Sequence, residues 1–315
     1  MHVLKGILLK VASALVFAVM SALVRFVSET IPVGQIVFFR SAFAVVPVVA
    51  IYVYRRELGA AVRTGRPMGH LTRGLIGIAG MFLSFAALAR LSLAEATAIS
   101  FAAPLITVVL AALILRERVR KYRWSAVGIG FAGVLVMLSP HLSLGRIGHA
   151  PEPAAVIGAI LAVLAAVTSA ASTIQTRRLT GSETNSAIVF YFSVIAAIGG
   201  IMTWPFGWAS PSMLVLAALI SIGVLGGLGH LLLTESFRLA PASVVAPFDY
   251  TSILWAFILG YALFGEVPAA VVFVGAAIVT AAGVFVILRE RQLGLERVRP
   301  SAAGPPIRPE RHDAR

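Results

Sequence analysis

The feature that most limits what this chain can become is a succession of long apolar runs, most of them near or above 20 residues, broken only by short gaps that hold the charges. A helical run of that length spans the hydrocarbon of a bilayer, about 30 Å at 1.5 Å per residue. A transmembrane barrel would instead show alternating segments of about 10 residues, a pattern the sequence lacks. Composition agrees. A chain of 315 residues that is 59% hydrophobic and 12% charged, with a mean hydropathy of +0.95, cannot enclose its apolar side chains in one core. A soluble domain keeps a large surface that must be mostly polar or mixed, with about a quarter of its residues charged. The expected fold class is an all-α integral membrane protein.

The runs lie at 6–28, 33–54, 70–91, 93–115, 122–139, 153–176, 185–205, 212–234, 241–264 and 268–288, which predicts ten transmembrane helices. The first run is too long for a signal peptide and leads to no small-residue cleavage site, so it reads as a retained helix. The chain carries 26 Lys and Arg against 13 Asp and Glu. In a soluble protein that excess would suggest a nucleic-acid partner, but here the basic residues sit in gaps and form no aromatic-interleaved face, so none is expected. With ten crossings, 22 of the 26 fall on one side. These are Lys5 and Lys10, five between runs two and three (Arg55 to Arg73), five between four and five (Arg116 to Arg123), Arg177, Arg178, Arg238, and seven in the tail. The other gaps hold only Arg25, Arg90 and Arg146, and Arg40 lies inside run two. Both termini are therefore expected in the cytoplasm. Residues 290–315, rich in Pro and charge, are expected to form a disordered tail. With zero cysteines, disulfides, thiolate metal sites and cysteine nucleophiles are excluded.

The chain also repeats itself. An offset of 152 sets Gly6 on Gly158, Arg25 on Arg177, and Ile36 to Ser41 on Ile188 to Ser193 with four of six identical. Offsets of 148 and 149 set Arg90–Leu91 on Arg238–Leu239 and Glu117 on Glu266. Two repeats of five runs follow, 6–140 and 153–288. An odd number of crossings inverts the second repeat in the membrane, and such halves serve alternating access to a shared site near the midplane.

Two charges lie at membrane depth. Arg40 is seven residues into run two and Asp249 is at similar depth in run nine, beside Pro247. Intramembrane charges are functional candidates, so both could line a substrate path; an Arg40–Asp249 ion pair clamping the halves is the equal alternative. Deep aromatics form a second set: Phe43, Phe82, Phe101, Tyr191, Phe248, Tyr250 and Trp255. Most such rings pack or face lipid, whereas those on a cavity could stack a planar heterocycle. His230 follows Gly223, Gly226, Gly227 and Gly229, and reads either as a proton-handling group or as a packing histidine. Glu117 and Glu266 end equivalent runs on opposite faces, either as a gate or as a repeated helix end. Pro104 reads as a kink in run four, whereas Pro247 could break run nine. Gly128, Gly130 and Gly133 spell G-x-G-x-x-G, but inside an apolar run they read as helix packing and not as a nucleotide loop. No P-loop, ligand-spaced histidines, nucleophilic triad or paired carboxylates can be assembled, so no cofactor, metal or enzymatic role is expected.

The segments LAEATAISFAAPLITVVLAALILRER at 93–118 and LAPASVVAPFDYTSILWAFILGYALFGE at 239–266 resemble the EamA repeats of the drug/metabolite transporter superfamily. The second departs by carrying Pro247 in place of a proline near Ile253. The resemblance covers nearly all of 6–288 and implies secondary transport of a small organic metabolite across a bacterial-type inner membrane, through a cavity between the halves. The FFRS and APFDYTS stretches look most like the branch of riboflavin and S-adenosylmethionine carriers. The resemblance implies riboflavin uptake first, with amino-acid or metabolite export or S-adenosylmethionine uptake as the alternatives. An integral-membrane enzyme is the competing class, and the sequence offers too few convergent acids and histidines for it.

Overall fold

A computed structural model describes residues 2–54, 59, 64–117, 119–141, 152–180, 182–183, 185–240 and 242–298. Helices fall on every expected run. In chain order they are α1 (His2–Val27), α2 (Val33–Tyr54), α3 (Pro67–Leu88), α4 (Leu93–Ser100), α5 (Ala102–Ile114), α6 (Lys121–Leu138), α7 (Pro153–Thr180), α8 (Asn185–Ile201), α9 (Met213–Leu239), α10 (Ala242–Val245), α11 (Thr251–Phe264) and α12 (Ala270–Val298). No strand occurs among the described residues.

Eight helical stretches are long and apolar enough to cross a membrane, counting Leu93–Ile114 and Ala246–Phe264 as one each. A further stretch, Val33–Pro47, is apolar but shorter, and α6 has 18 residues with Lys121 and Arg123 in its first turn. At most 39% of the apolar window of any of the eight is buried inside the protein, so most of each faces outward. Exposed Leu113, Leu135, Leu254 and Val274 belong to that outer surface. Water would not tolerate it, and lipid does. The protein is a multi-pass membrane protein.

Two of the expected runs are broken. In run four the helix stops at Ser100 and restarts at Ala102. Pro104 has no N–H for the Ser100 carbonyl, and the Phe101 N–H turns back to Ala98 O at 3.2 Å. The expected kink is thus a break. Ser92 starts this run with a capping box, its hydroxyl accepting from the Glu95 N–H while the Glu95 carboxylate takes the Ser92 N–H. In run nine, α10 passes through a 3-10 turn, Ala246–Tyr250, before α11 begins, and Pro247 opens that turn.

The end of the chain departs from expectation. α12 continues through 290–298 where a disordered tail was expected, because Arg289, Glu290 and Gln292 are good helix formers and Arg289 Nη1 donates to Gln292 Oε1 at 3.2 Å. Residues 299–315 lie outside the described residues, as do Arg55, Arg56, Arg63, Arg118 and Arg146 of the charge count.

Packing repeats with the roles of the halves exchanged. α1 lies along α9 as α7 lies along α3, and α11 packs on α1 as α5 packs on α7. α2 meets its own counterpart α8, and α6 meets its counterpart α12, as a two-fold axis between the halves requires. Small residues allow these approaches. A Cβ on Gly133 would lie 2.9 Å from Gly275 O, and one on Gly275 would lie 2.6 Å from Gly133 O, so α6 and α12 touch backbone to backbone. Two glycines of the G-x-G-x-x-G motif pack helices, Gly130 against Leu105 and Gly133 against α12, whereas Gly128 faces open space with nothing within 4 Å of a Cβ there.

Candidate substrate cavity

The two broken segments face one cavity of about 460 Å³, enclosed also by α1, α3, α7, α9 and α12. Its wall carries small apolar residues, three aromatic rings and a row of hydroxyls. From α1 come Ser13, Phe17 and Ser21; from α3, Ser84; from run four, Thr97, Ser100 and Phe101; from run nine, Asp249, Tyr250 and Ser252. Four of the hydroxyls donate to backbone carbonyls: Ser13 to Gly229, Thr97 to Leu93, Ser100 to Thr97 and Ser252 to Asp249. With their protons committed, these oxygens offer only lone pairs to the cavity.

The rings of Phe101 and Tyr250 stack at 4.7 Å between centroids and 26° between planes. The offset of 149 that sets Glu117 on Glu266 also sets Phe101 on Tyr250, so the pair consists of equivalent residues meeting where each half is broken. Tyr250 reaches this position because Gly283 in α12 has no side chain; a Cβ there would lie 1.7 Å from the Tyr250 hydroxyl. Asp249, beside it, has a half-exposed side chain, and its Oδ1 lies 2.5 Å from Lys10 Nζ. Lys10 is buried, with Nζ also 5.0 Å from the centre of the Phe237 ring. The ammonium offsets the cost of a carboxylate at membrane depth.

Of the ten residues singled out from sequence, Phe101, Asp249 and Tyr250 line this cavity. Arg40 and His230 line a smaller space between α2, α3, α8 and α9. The Arg40–Asp249 ion pair is not formed: Arg40 Nη2 lies 3.2 Å from His230 Nε2, and Asp249 is taken by Lys10. Phe43 stacks on Phe39, Phe82 packs on the main core, and Tyr191 lies 4.7 Å from the His70 ring. Phe248 and Trp255 are partly buried outside the cavity wall, and the Trp255 Nε1 is buried without a partner.

Sequence reasoning missed Lys10, counted as a residue of the membrane face, although its position eight residues into α1 is a signal. Lys10, Ser13, Phe17 and Ser21 follow one another at spacings of three and four, one stripe of an otherwise apolar helix.

Two ion pairs join the repeats. Arg25 Nε lies 3.3 Å from Glu266 Oε1, while Glu266 Oε2 accepts the Leu93 N–H at 2.7 Å and Arg25 donates to Ala89 O at 3.3 Å. The equivalent residues pair as well: Arg177 Nη1 lies 3.7 Å from Glu117 Oε1, with both side chains about half exposed. A second space of about 380 Å³ runs beside Glu117, Arg123 and Arg177 and shares Pro104 with the central cavity.

Comparison with known proteins places this architecture. The model of the EamA-like transporter family matches residues 4–139 and again 156–289. An S-adenosylmethionine uptake transporter of Rickettsia prowazekii is 30% identical over 82% of this chain and 84% of its own. A pseudopaline exporter of Pseudomonas aeruginosa is 30% identical over 88% and 94%, and a riboflavin transporter of Rhizobium johnstonii is 32% identical over 75% and 76%. One solved crystal structure, 18% identical, shares the fold with a TM-score of 0.64, covering 94% of this chain and 99% of that one. Matched in both halves and along most of the length of proteins named as transporters, the chain belongs to the EamA-like transporter family.

Proposed function

We propose that this transporter moves a small solute bearing a planar heterocycle and hydrogen-bond donors or positive charge through the central cavity, S-adenosylmethionine being the best candidate. The observation that carries this reading is the cavity wall. The Phe101–Tyr250 pair offers faces for a ring, and around it stand the Asp249 carboxylate and hydroxyl oxygens whose protons are already committed. A wall of acceptors suits an ammonium, a sulfonium and an exocyclic amine. About 460 Å³ is within the usual range for small-molecule sites. The relative from Rickettsia prowazekii, named for S-adenosylmethionine uptake, supports the same choice. Riboflavin remains the second reading: its ring suits the aromatic pair and its ribityl hydroxyls can donate to the same oxygens.

All ten segments cross the inner membrane in this proposal, with the halves inverted and both termini in the cytoplasm, as the basic residues favour. The Arg25–Glu266 and Arg177–Glu117 pairs then close opposite faces. The first is accompanied by backbone hydrogen bonds to Leu93 and Ala89, and the second, at 3.7 Å, stands beside an open space. On this reading the Arg25 end is the extracytoplasmic gate, closed in this conformer, and the Arg177 end is the cytoplasmic one.

The test is flux in proteoliposomes carrying the full chain. Labelled S-adenosylmethionine should equilibrate down its gradient without ATP, saturably, with riboflavin and amino acids as competitors. Asp249→Asn should reduce flux per molecule reconstituted, the amount being recorded because the variant leaves buried Lys10 without its carboxylate. If neither S-adenosylmethionine nor riboflavin moves, the substrate assignment fails; if Asp249→Asn transports normally, the cavity assignment fails.

A further inference from the structure

Arg40 and Arg73 approach each other inside the helix bundle with no acid between them. Arg40, on α2, is 7% exposed. Gly226 leaves room for its guanidinium, since a Cβ there would lie 3.3 Å from Arg40 Nε. Arg73, on α3, points along its helix toward Gly77, lies over the Phe192 ring at 4.0 Å, and donates from Nε to Thr176 Oγ1 at 3.3 Å. Its Nη1 is buried without a hydrogen-bond partner. Between the two lies a space of about 60 Å³, walled also by Phe192, Ser193, Gly227 and His230.

Neither guanidinium pairs with a carboxylate among the described residues. Arg40 instead donates from Nη2 to His230 Nε2 at 3.2 Å. Arginine has no acceptor, so that nitrogen of His230 carries the lone pair and the imidazole is neutral. Two full positive charges therefore share a low-dielectric space with a neutral partner. A buried charge without a counter-charge is among the most unfavourable arrangements a protein can hold.

We propose that this space is a binding site for a small monovalent anion, of halide or carboxylate-head size, held between the Arg40 and Arg73 guanidiniums. At about 60 Å³ it has room for roughly two water molecules' worth of volume, which admits chloride or a carboxylate and no whole metabolite. Arg73 Nη1 is the donor already aimed and unused, and the Ser193 hydroxyl stands on the same wall. The site is distinct from the substrate cavity, and Phe17 touches both: its ring meets His230 edge-on at 5.1 Å and it lines the cavity. The anion comes either from solution or as the carboxylate of a solute reaching past Phe17.

The experiment is thermal unfolding of the full chain in detergent at constant ionic strength. Sodium cyclamate, whose bulky sulfamate anion is too large for the space and carries no carboxylate, is replaced stepwise by sodium chloride or by sodium acetate. Chloride should raise the midpoint saturably, by roughly 5 °C at a hundredfold excess over its dissociation constant, and bromide should give an anomalous scattering peak between Arg40 and Arg73. A rise with acetate and none with chloride assigns the site to a carboxylate. Arg73→Gln should abolish the saturable rise. Should that variant not fold, Ser193→Val, which narrows the space and keeps both arginines, should weaken it. Identical midpoints in cyclamate, chloride and acetate, with no bromide peak, overturn the proposal. Since no transport is measured, the result does not depend on the substrate assignment.

Discussion

Phe101 and Tyr250, equivalent residues of the two repeats, stack on each other at 4.7 Å where each half interrupts a helix. An aromatic pair of this kind is worth about 0.5–1.5 kcal/mol beyond the area it buries. A solute ring that stacks on or inserts beside the pair would draw on a similar amount. Phe101→Ala and Tyr250→Ala should therefore each raise the half-saturation concentration roughly twofold to tenfold, while Phe101→Tyr stays close to the parent. Saturation curves in proteoliposomes with labelled S-adenosylmethionine and riboflavin measure this. Equal curves for the alanine variants would remove the pair from the binding site.

Gly283 tests the same site from behind. A Cβ at that position would lie 1.7 Å from the Tyr250 hydroxyl and 2.7 Å from its Cζ, so the ring must move. Gly283→Ala should lower transport to the level of Tyr250→Ala. Adding Tyr250→Phe removes the shorter clash and leaves the longer one, so the double variant should recover only part of the loss. Expression level and melting midpoint, recorded beside flux, separate displacement of the ring from failure to fold.

Much of this site was legible in the sequence because lipid leaves few options. A run of about 20 apolar residues in a bilayer has to be a helix, and Pro247 beside Asp249 marks irregular backbone at depth. Phe101, Asp249 and Tyr250 were found that way. Partner choice was not legible. Arg40 and Asp249 lie at similar depth along their helices, but depth says nothing of azimuth, and rotation about the helix axis sends Arg40 toward His230 and Asp249 toward Lys10. Lys10 and Arg73 were counted with the membrane face because they lie near run ends, whereas their long side chains turn into the bundle. The break in run four was read as a kink because a single proline is compatible with both.

The inter-repeat ion pairs make a prediction about access. If Arg25–Glu266 seals one face, Glu266→Gln removes both its charge attraction to Arg25 and part of the hold on the Leu93 N–H. Because the chain has no cysteine, Ser84→Cys places a single thiol on the cavity wall without background. A membrane-impermeant thiol reagent applied from the Arg25 side should label it slowly in the otherwise native chain and about tenfold faster with Glu266→Gln, a change of roughly 1.4 kcal/mol in the sealed state. Glu117→Gln should leave that rate unchanged or lower it. Equal labelling in all three would show that the pair is no gate.

Glu183 lies outside the membrane-spanning helices and joins two loops. Its Oε1 accepts the Gly65 N–H at 3.0 Å and its Oε2 lies 3.3 Å from His70 Nε2, with both side chains buried. Burial alone would raise this carboxyl, but the neighbouring His70 ring, the Gly65 N–H and Thr64 outweigh it and hold the group below its ordinary value of 4.5. A carboxylate with a lowered folded-state value stabilises the fold above the unfolded-state value, and that contribution disappears as pH falls through the folded one. The melting midpoint of the purified chain should therefore drop below about pH 4.5. Glu183→Gln should start lower at pH 7 and lose less over the same acid range, so the two curves converge. Parallel curves would mean that Glu183 keeps the same proton affinity in the folded and unfolded states.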